Sequence, residues 1–257
     1  MTYCVGMLVN DGLAMIADTR TNAGVDNISS YKKLHITEVT GERIIGICTA
    51  GNLSVTQTAL SMVAEGVRMP GHDDLETLET APTLFRAAQI VGHALAEVRN
   101  ELTSMRAEAP KLSASMLLGG QVKGGKMGLY LIYAEGNFIE CGADTPYLQI
   151  GEFKYGKPIL DRALRPDTPM AEAVKLGLIS FDSTIRSNIA VGPPFDMVVI
   201  GRDALHGEQR RIAADDPYFR DLGHRWSESL ANAHRAMPAP PWLDEAPPAR
   251  PSISVVG

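Results

Sequence analysis

Thr2 stands directly behind Met1, and the segment Met15-Ile16-Ala17-Asp18-Thr19-Arg20 follows it shortly along the chain. A threonine hydroxyl is a poor nucleophile at neutral pH and needs a nearby base. A threonine at the amino terminus carries its own. Once Met1 is removed, the α-amino group has an ordinary pKa of roughly 7.7–8.0, close to working pH. Thr2 is a small residue of the kind that tolerates such cleavage. Position 2 alone is a weak signal, because many proteins carry threonine there for no catalytic reason. Other chemistry is poorly grouped. The six histidines (His35, His72, His93, His206, His224, His234) form no HxxxH or HExxH pair, and the three cysteines form no CxxC. Local motifs therefore give no metal site. Gly119-Gly120 and Gly124-Gly125 read as hairpin glycines, not as a phosphate cradle, and nothing calls for a cofactor.

The elements that must position Thr2 follow from hydrophobic pattern. Residues 2–9 and 13–17 are apolar runs separated by Asn10-Asp11-Gly12, a strong hairpin signal. Residues 33–38 and 43–49 predict a second hairpin, turning through Val39-Thr40-Gly41-Glu42. Asn52 is a good N-cap for a helix over 53–67, with Leu53, Thr56, Leu60, Val63 and Val67 at helical spacing. Residues 82–105 predict a long helix with Pro82 in its first turn and Leu84, Ala87, Ala88, Val91, Leu95, Val98 and Leu102 on one face. Strand signals return at 113–121, 128–134, 138–142 and 147–151. Helices over 155–164 and 169–184 precede a last buried strand at 195–201. Runs of strands alternate with pairs of helices. That order fits an α+β sandwich, two antiparallel sheets with helix pairs outside, better than a doubly wound parallel sheet.

Residues 1–236 read as one domain and 237–257 as a Pro-rich extension, whose MPAPPWLDEAPPARPSISVVG holds six of the chain's sixteen prolines. It cannot continue a helix. Two readings stay open for it: a disordered tail, or an arm that docks Trp242 on a neighbouring subunit.

The 257 residues suffice for a sizeable core, and 45% hydrophobic with 21% charged is ordinary for a globular protein. A net charge of −6 argues against nucleic-acid and anionic-membrane partners. No run of 18 apolar residues predicts a membrane span, and no basic stretch precedes an apolar core as in a secretory signal. Cys4, Cys48 and Cys141, odd in number and unpaired in spacing, read as reduced thiols of a cytoplasmic protein.

Apolar strand, Asp-Gly turn, apolar strand, Ala17-Asp18-Thr19-Arg20, a glycine, and Lys32-Lys33 before another strand: this order resembles the N-terminal half of a proteasome β-type subunit, of the N-terminal nucleophile hydrolase superfamily. Ala50-Gly51, Ser115-Met116-Leu117-Leu118-Gly119-Gly120, Gly128-Leu129-Tyr130 and Ala134-Glu135-Gly136 resemble its later landmarks. Asp18-Thr19-Arg20-Thr21-Asn22-Ala23-Gly24-Val25-Asp26-Asn27 is similar, more closely, to the bacterial Anbu group of that family, the ancestral β subunits. The resemblance covers about residues 2–201.

The resemblance implies a four-layer αββα sandwich and a set of roles. Thr2 would be the nucleophile, Asp18 the buried aspartate and Lys33 the lysine beside them. The blander readings are a turn-stabilising carboxylate for Asp18 and a solvated strand-edge charge for Lys33. Lys33 is preferred to Lys32 because Leu34 follows it, and alternation sends Lys32 to the other face. Backbone N–H groups at Ala50 or Gly51 would stabilise an oxyanion, which needs donors without bulk. Gly151, Asp182 and Ser187 would position the amino terminus. Two departures stand out: Glu152 follows Gly151 where the family usually carries a serine, and Asp182-Ser183-Thr184-Ile185-Arg186-Ser187 replaces a closer Asp-x-x-Ser-Gly-Gly run.

Two functions of different class follow. One is an N-terminal threonine hydrolase of peptide or other amide bonds, self-assembled into a ring or open spiral. The other is a catalytically weak or inactive subunit that keeps the fold to build the cage. The chain carries no ATPase signature of its own.

Overall fold

The structure is a computed structural model, and it describes residues 2–22, 28–105 and 113–243. Met1, residues 23–27 of the Anbu-like stretch, residues 106–112 and the tail from 244 onward lie outside the described residues.

The chain opens with β1 (Tyr3–Val9) and β2 (Gly12–Asp18), joined by the expected hairpin. A small ribbon of β3 (Arg20–Asn22) and β4 (Ile28–Ser30) leads to a second hairpin, β5 (Leu34–Val39) and β6 (Arg43–Gly51). Then come α1 (Leu53–Glu65), a short ribbon of β7 (Val67–Arg68) and β8 (Leu75–Glu76), and α2 (Leu84–Met105). β9 (Ala114–Val122), β10 (Gly128–Ile132), β11 (Phe138–Glu140) and β12 (Tyr147–Gly151) follow. The chain continues through α3 (Lys157–Ala163), α4 (Met170–Ser187), β13 (Phe195–Gly201), β14 (Glu208–Ile212) and α5 (Pro217–Ala236).

Two five-stranded antiparallel sheets result, ordered β12-β1-β2-β13-β14 and β11-β10-β9-β6-β5. Their inner faces meet through Leu13, Met15, Ile44, Cys48, Leu117 and Leu129. The outer face of the second sheet packs on α1 and α2, through residues such as Val63, Val91 and Leu95. The outer face of the first packs on α3, α4 and α5, through Leu160, Phe181 and Phe219. The architecture is the four-layer αββα sandwich. Covering both faces explains why β1 and β2 read as continuous apolar runs: Tyr3, Val5 and Met7 face helices, while Cys4 faces the other sheet.

Two expectations change. The first sheet is covered by three helices, not a pair, because α5 follows the last expected strand. Only Phe219 and Gly223 of α5 are buried, so its apolar signal is thin. Its start is nevertheless marked: Asp216 accepts from the Phe219 amide at 2.9 Å, and Pro217 occupies the first turn. β14 (EQRRI) is equally faint, an edge strand exposed at four of five positions. Second, Pro82 lies just outside α2, because Thr83 caps it by accepting from the Arg86 amide at 3.0 Å. Past α5, Trp242 is 71% exposed in a single helical turn, Pro241–Leu243.

Candidate active site

Thr2 precedes the first residue of β1 and is 8% exposed. Its carbonyl accepts from the Glu152 amide at 2.7 Å, one step beyond the Tyr3–Gly151 pair of the β1–β12 ladder. Gly151 has φ +82°, and a Cβ there would meet the Thr2 carbonyl oxygen at 1.9 Å. Only glycine allows the two strands to close on Thr2 in this way. Tyr3 supplies the anchor beneath. Its ring is fully buried against Phe181, with centroids 4.5 Å apart, and its hydroxyl meets Ser180 Oγ at 3.0 Å and Gln149 Nε2 at 2.5 Å.

Asp18 closes β2. Its Oδ1 accepts from the Tyr3 amide at 3.0 Å and from Lys33 Nζ at 2.8 Å. Neither side chain of the pair is more than 5% exposed. Burial pushes the Asp18 carboxyl above its ordinary range, against the pull of Lys33 and of the Tyr3 and Gly192 amides. Lys33 also donates to the Arg20 carbonyl at 2.6 Å, and its own carbonyl accepts from the Thr49 amide at 3.0 Å. An ammonium has three protons, and the Asp18 and Arg20 contacts take two. Lys32 is exposed, as alternation required, and lines a separate cleft beside Arg210 and Arg211.

A cleft of about 430 Å³ opens on these groups. It is lined by Thr2, Thr21, Lys33, Thr49, Ala50, Gly51, Leu53, Thr56, Gly151 and Glu152. Ala50 and Gly51 end β6 directly before α1, whose N-cap Asn52 accepts from the Val55 amide at 3.2 Å. The positive end of α1 therefore adjoins the cleft. Gly51 has φ +104°, and a Cβ on it would meet the Ser113 carbonyl oxygen at 2.4 Å, so this wall carries backbone without bulk.

The fold thus gathers Thr2, Asp18, Lys33, Ala50, Gly51 and Gly151 in one place. Asp182 and Ser187 do not line the cleft. On α4 it is Ser180 that faces β1, through Tyr3. Asp182 is two residues on, about 200° around the helix. There it pairs with Arg186 at 2.9 Å and packs on Gly223 of α5. Ser187 is exposed at the C-terminal end of α4, about 10 Å along the axis from Ser180. Proximity in sequence to an expected motif could not reveal this rotation.

Thr21 and Thr49 also belong to the cleft wall, and nothing in their local sequence marks them for it. Leu53 and Thr56 join them from the first turn of α1, where helical spacing marks a packed face but not a cleft. His35 faces a different recess of about 180 Å³ under α1, where burial lowers its pKa. It is no base for Thr2.

The proteasome subunit family model matches residues 2–200. Among solved structures, Anbu from Hyphomicrobium sp. strain MC1, as a Gly-1 mutant, is 46% identical, with a TM-score of 0.84 over 93% of this chain and 99% of that one. Anbu (ancestral beta-subunit) from Yersinia bercovieri is 41% identical, with a TM-score of 0.84 over 93% and 98%. The helical assembly of the Anbu complex from Pseudomonas aeruginosa contains a chain 42% identical, with a TM-score of 0.87 over 95% and 100%. No curated protein matches.

Proposed function

The chain belongs to the proteasome subunit family, in its Anbu group, and from that premise we propose that it is an N-terminal threonine hydrolase of peptide or other amide bonds. The observation that carries this reading is the convergence of Thr2 and the Lys33–Asp18 pair on one cleft beside the bare backbone of Gly51.

Removal of Met1 frees the Thr2 amine. Thr2 Oγ attacks the carbonyl carbon of the amide, and its proton passes to the α-amine, directly or through water. Lys33, held by Asp18, lowers the pKa of the hydroxyl. The tetrahedral oxyanion is met by backbone N–H groups at Ala50 or Gly51, next to the α1 N-terminus. As it collapses, the C–N bond breaks and the α-amine returns its proton to the leaving nitrogen. Water then attacks the Thr2 ester, with the α-amine again as base, and releases the acid.

The Pseudomonas aeruginosa relative forms a helical assembly, which supports self-assembly here. Our reading is a cytoplasmic homo-oligomer, ring or open spiral, with its clefts facing an inner space. The second reading, a weakly active or inactive subunit of such a cage, is favoured by one observation. Asp182 and Ser187 lie off the cleft, so the amino terminus lacks the support expected of them.

Intact mass of natively purified protein tests the first requirement. A mass short by one methionine exposes the Thr2 amine. Thr2→Ala should then abolish amidase activity and leave assembly unchanged by light scattering. Full activity in that variant would falsify the hydrolase reading, and a full-length mass would leave the subunit as a scaffold.

A further inference from the structure

Glu152 stands out in the cleft. Its side chain is 15% exposed, yet Oε2 is buried and has no hydrogen-bond partner among the described residues. The cation paired with it is Lys154, whose Nζ lies 3.7 Å away on a side chain 65% exposed. A carboxylate oxygen so placed is costly unless a closer donor completes it. Among the described residues the other charge lining the cleft is Lys33, which is already matched by Asp18. The Arg20 guanidinium points away, donating to the Ile189 carbonyl at 2.8 Å. β6 and α1 contribute no charged group to the wall: Thr49, Ala50, Gly51, Leu53 and Thr56 are neutral.

A closer donor has a source within the chain. Continuing the β1–β12 register one step past Tyr3–Gly151 sets Thr2 opposite Glu152, and the 2.7 Å bond from the Glu152 amide to the Thr2 carbonyl closes that step. Residues directly opposite in an antiparallel pair have Cβ atoms about 4.5–5.5 Å apart. A glutamate side chain spans that separation.

We propose that Glu152 is a positioning residue that receives the α-ammonium of Thr2 through Oε2 once Met1 is gone. It thereby takes over, from within the cleft, the support that Asp182 and Ser187 do not give. The inference rests on the reading that Thr2 becomes the first residue. Its consequence is a tuned base. Glu152 favours the protonated amine, while Lys33 in the same cleft disfavours it, and Asp18 reduces the effect of Lys33. The amine therefore turns into a base at higher pH with Glu152 than without it.

The test uses full chain with Thr2 as its first residue, verified by mass, and methyl-labelled threonine. The Thr2 γ2-methyl resonance reports titration of its own amine. Glu152→Gln, which keeps the shape, should lower the midpoint by about 1 pH unit, and Glu152→Asp should restore part of the shift. An unmoved or raised midpoint in Glu152→Gln, at unchanged melting temperature, overturns the proposal. The readout needs no turnover, so a subunit that fails as a hydrolase can still pass or fail here.

Discussion

Gly151 shows how a single residue without a side chain decides the geometry of Thr2, the proposed nucleophile. Its positive φ and the 1.9 Å approach of a hypothetical Cβ to the Thr2 carbonyl leave no room for alanine. Gly151→Ala must open the β1–β12 ladder where it grips Thr2. The expected loss is about 2 kcal/mol in urea unfolding, from left-handed strain and steric overlap together. Under the proposed mechanism turnover should fall further than that loss of folded fraction explains, because the displaced group is the carbonyl of Thr2 itself. Equal activity at saturating substrate would show that Thr2 does not depend on this contact. Lys33 makes the complementary point. Its identity, in contrast to that of Lys32, follows from alternation. Its partners do not: Asp18 Oδ1 and the Arg20 carbonyl meet it only because the end of β2 and the chain before β5 turn back on one another.

At the scale of elements, the site is a meeting of ends. β1 begins, β6 and β12 finish, and α1 starts around the same cleft, while β2 ends behind it at Asp18, the partner of Lys33. Strand ends are suited to this work, since their backbone groups leave the ladder and their neighbours fix them on both sides. α1 is the clearest case. Asn52 caps it, and the preceding Gly51 forms the cleft wall. Asn52→Ala should cost about 1 kcal/mol of stability by differential scanning calorimetry. It should also lower kcat more than it raises KM, because the proposed donor amide at Ala50 or Gly51 would be held less firmly for an oxyanion that forms only during reaction. A change in KM alone would assign Asn52 to substrate binding instead. α4 teaches the opposite lesson. Ser180 supports Tyr3, but the rotation of a helix carries Asp182 away to Arg186 and α5.

Across the whole molecule, the sandwich keeps its thiols unreactive by burying them. Cys4 and Cys48 are fully buried between the sheets, and Cys141 is free and half-buried. Burial raises Cys4 and pushes Cys141 from an ordinary 9.0 up to about 12. At pH 8 the folded Cys141 is then only about 1 part in 10⁴ thiolate, against about 1 in 10 when unfolded. Native protein should show almost no labelling by iodoacetamide at that pH, and three labels per chain after denaturation. Rapid native labelling at one site would mean Cys141 is more open than this. The same shift has a sign for stability. The unfolded thiol loses its proton first, so the Cys141 contribution is full below pH 9.0 and is lost as pH rises toward about 12. The sandwich also sets what is readable from sequence. Hydrophobic period and turn chemistry are local, and they determined the hairpin at Asn10-Asp11-Gly12, the cap at Asn52, the buried face of α2 and the two-sheet class. Thr2, Asp18 and Lys33 are legible as a spaced set for the same reason: each sits at a strand end that the pattern already marks. α5 and β14 are not legible, because an outer helix that buries two residues and an edge strand that buries one leave little periodic signal. Only the tertiary structure decided that Asp182 faces α5, that Glu152 stands opposite Thr2 with a buried oxygen that accepts no hydrogen bond among the described residues, and that Thr21, Thr49, Leu53 and Thr56 join the cleft wall. Those outcomes depend on helix rotation, on strand register and on the packing of distant segments, and no window of sequence contains them.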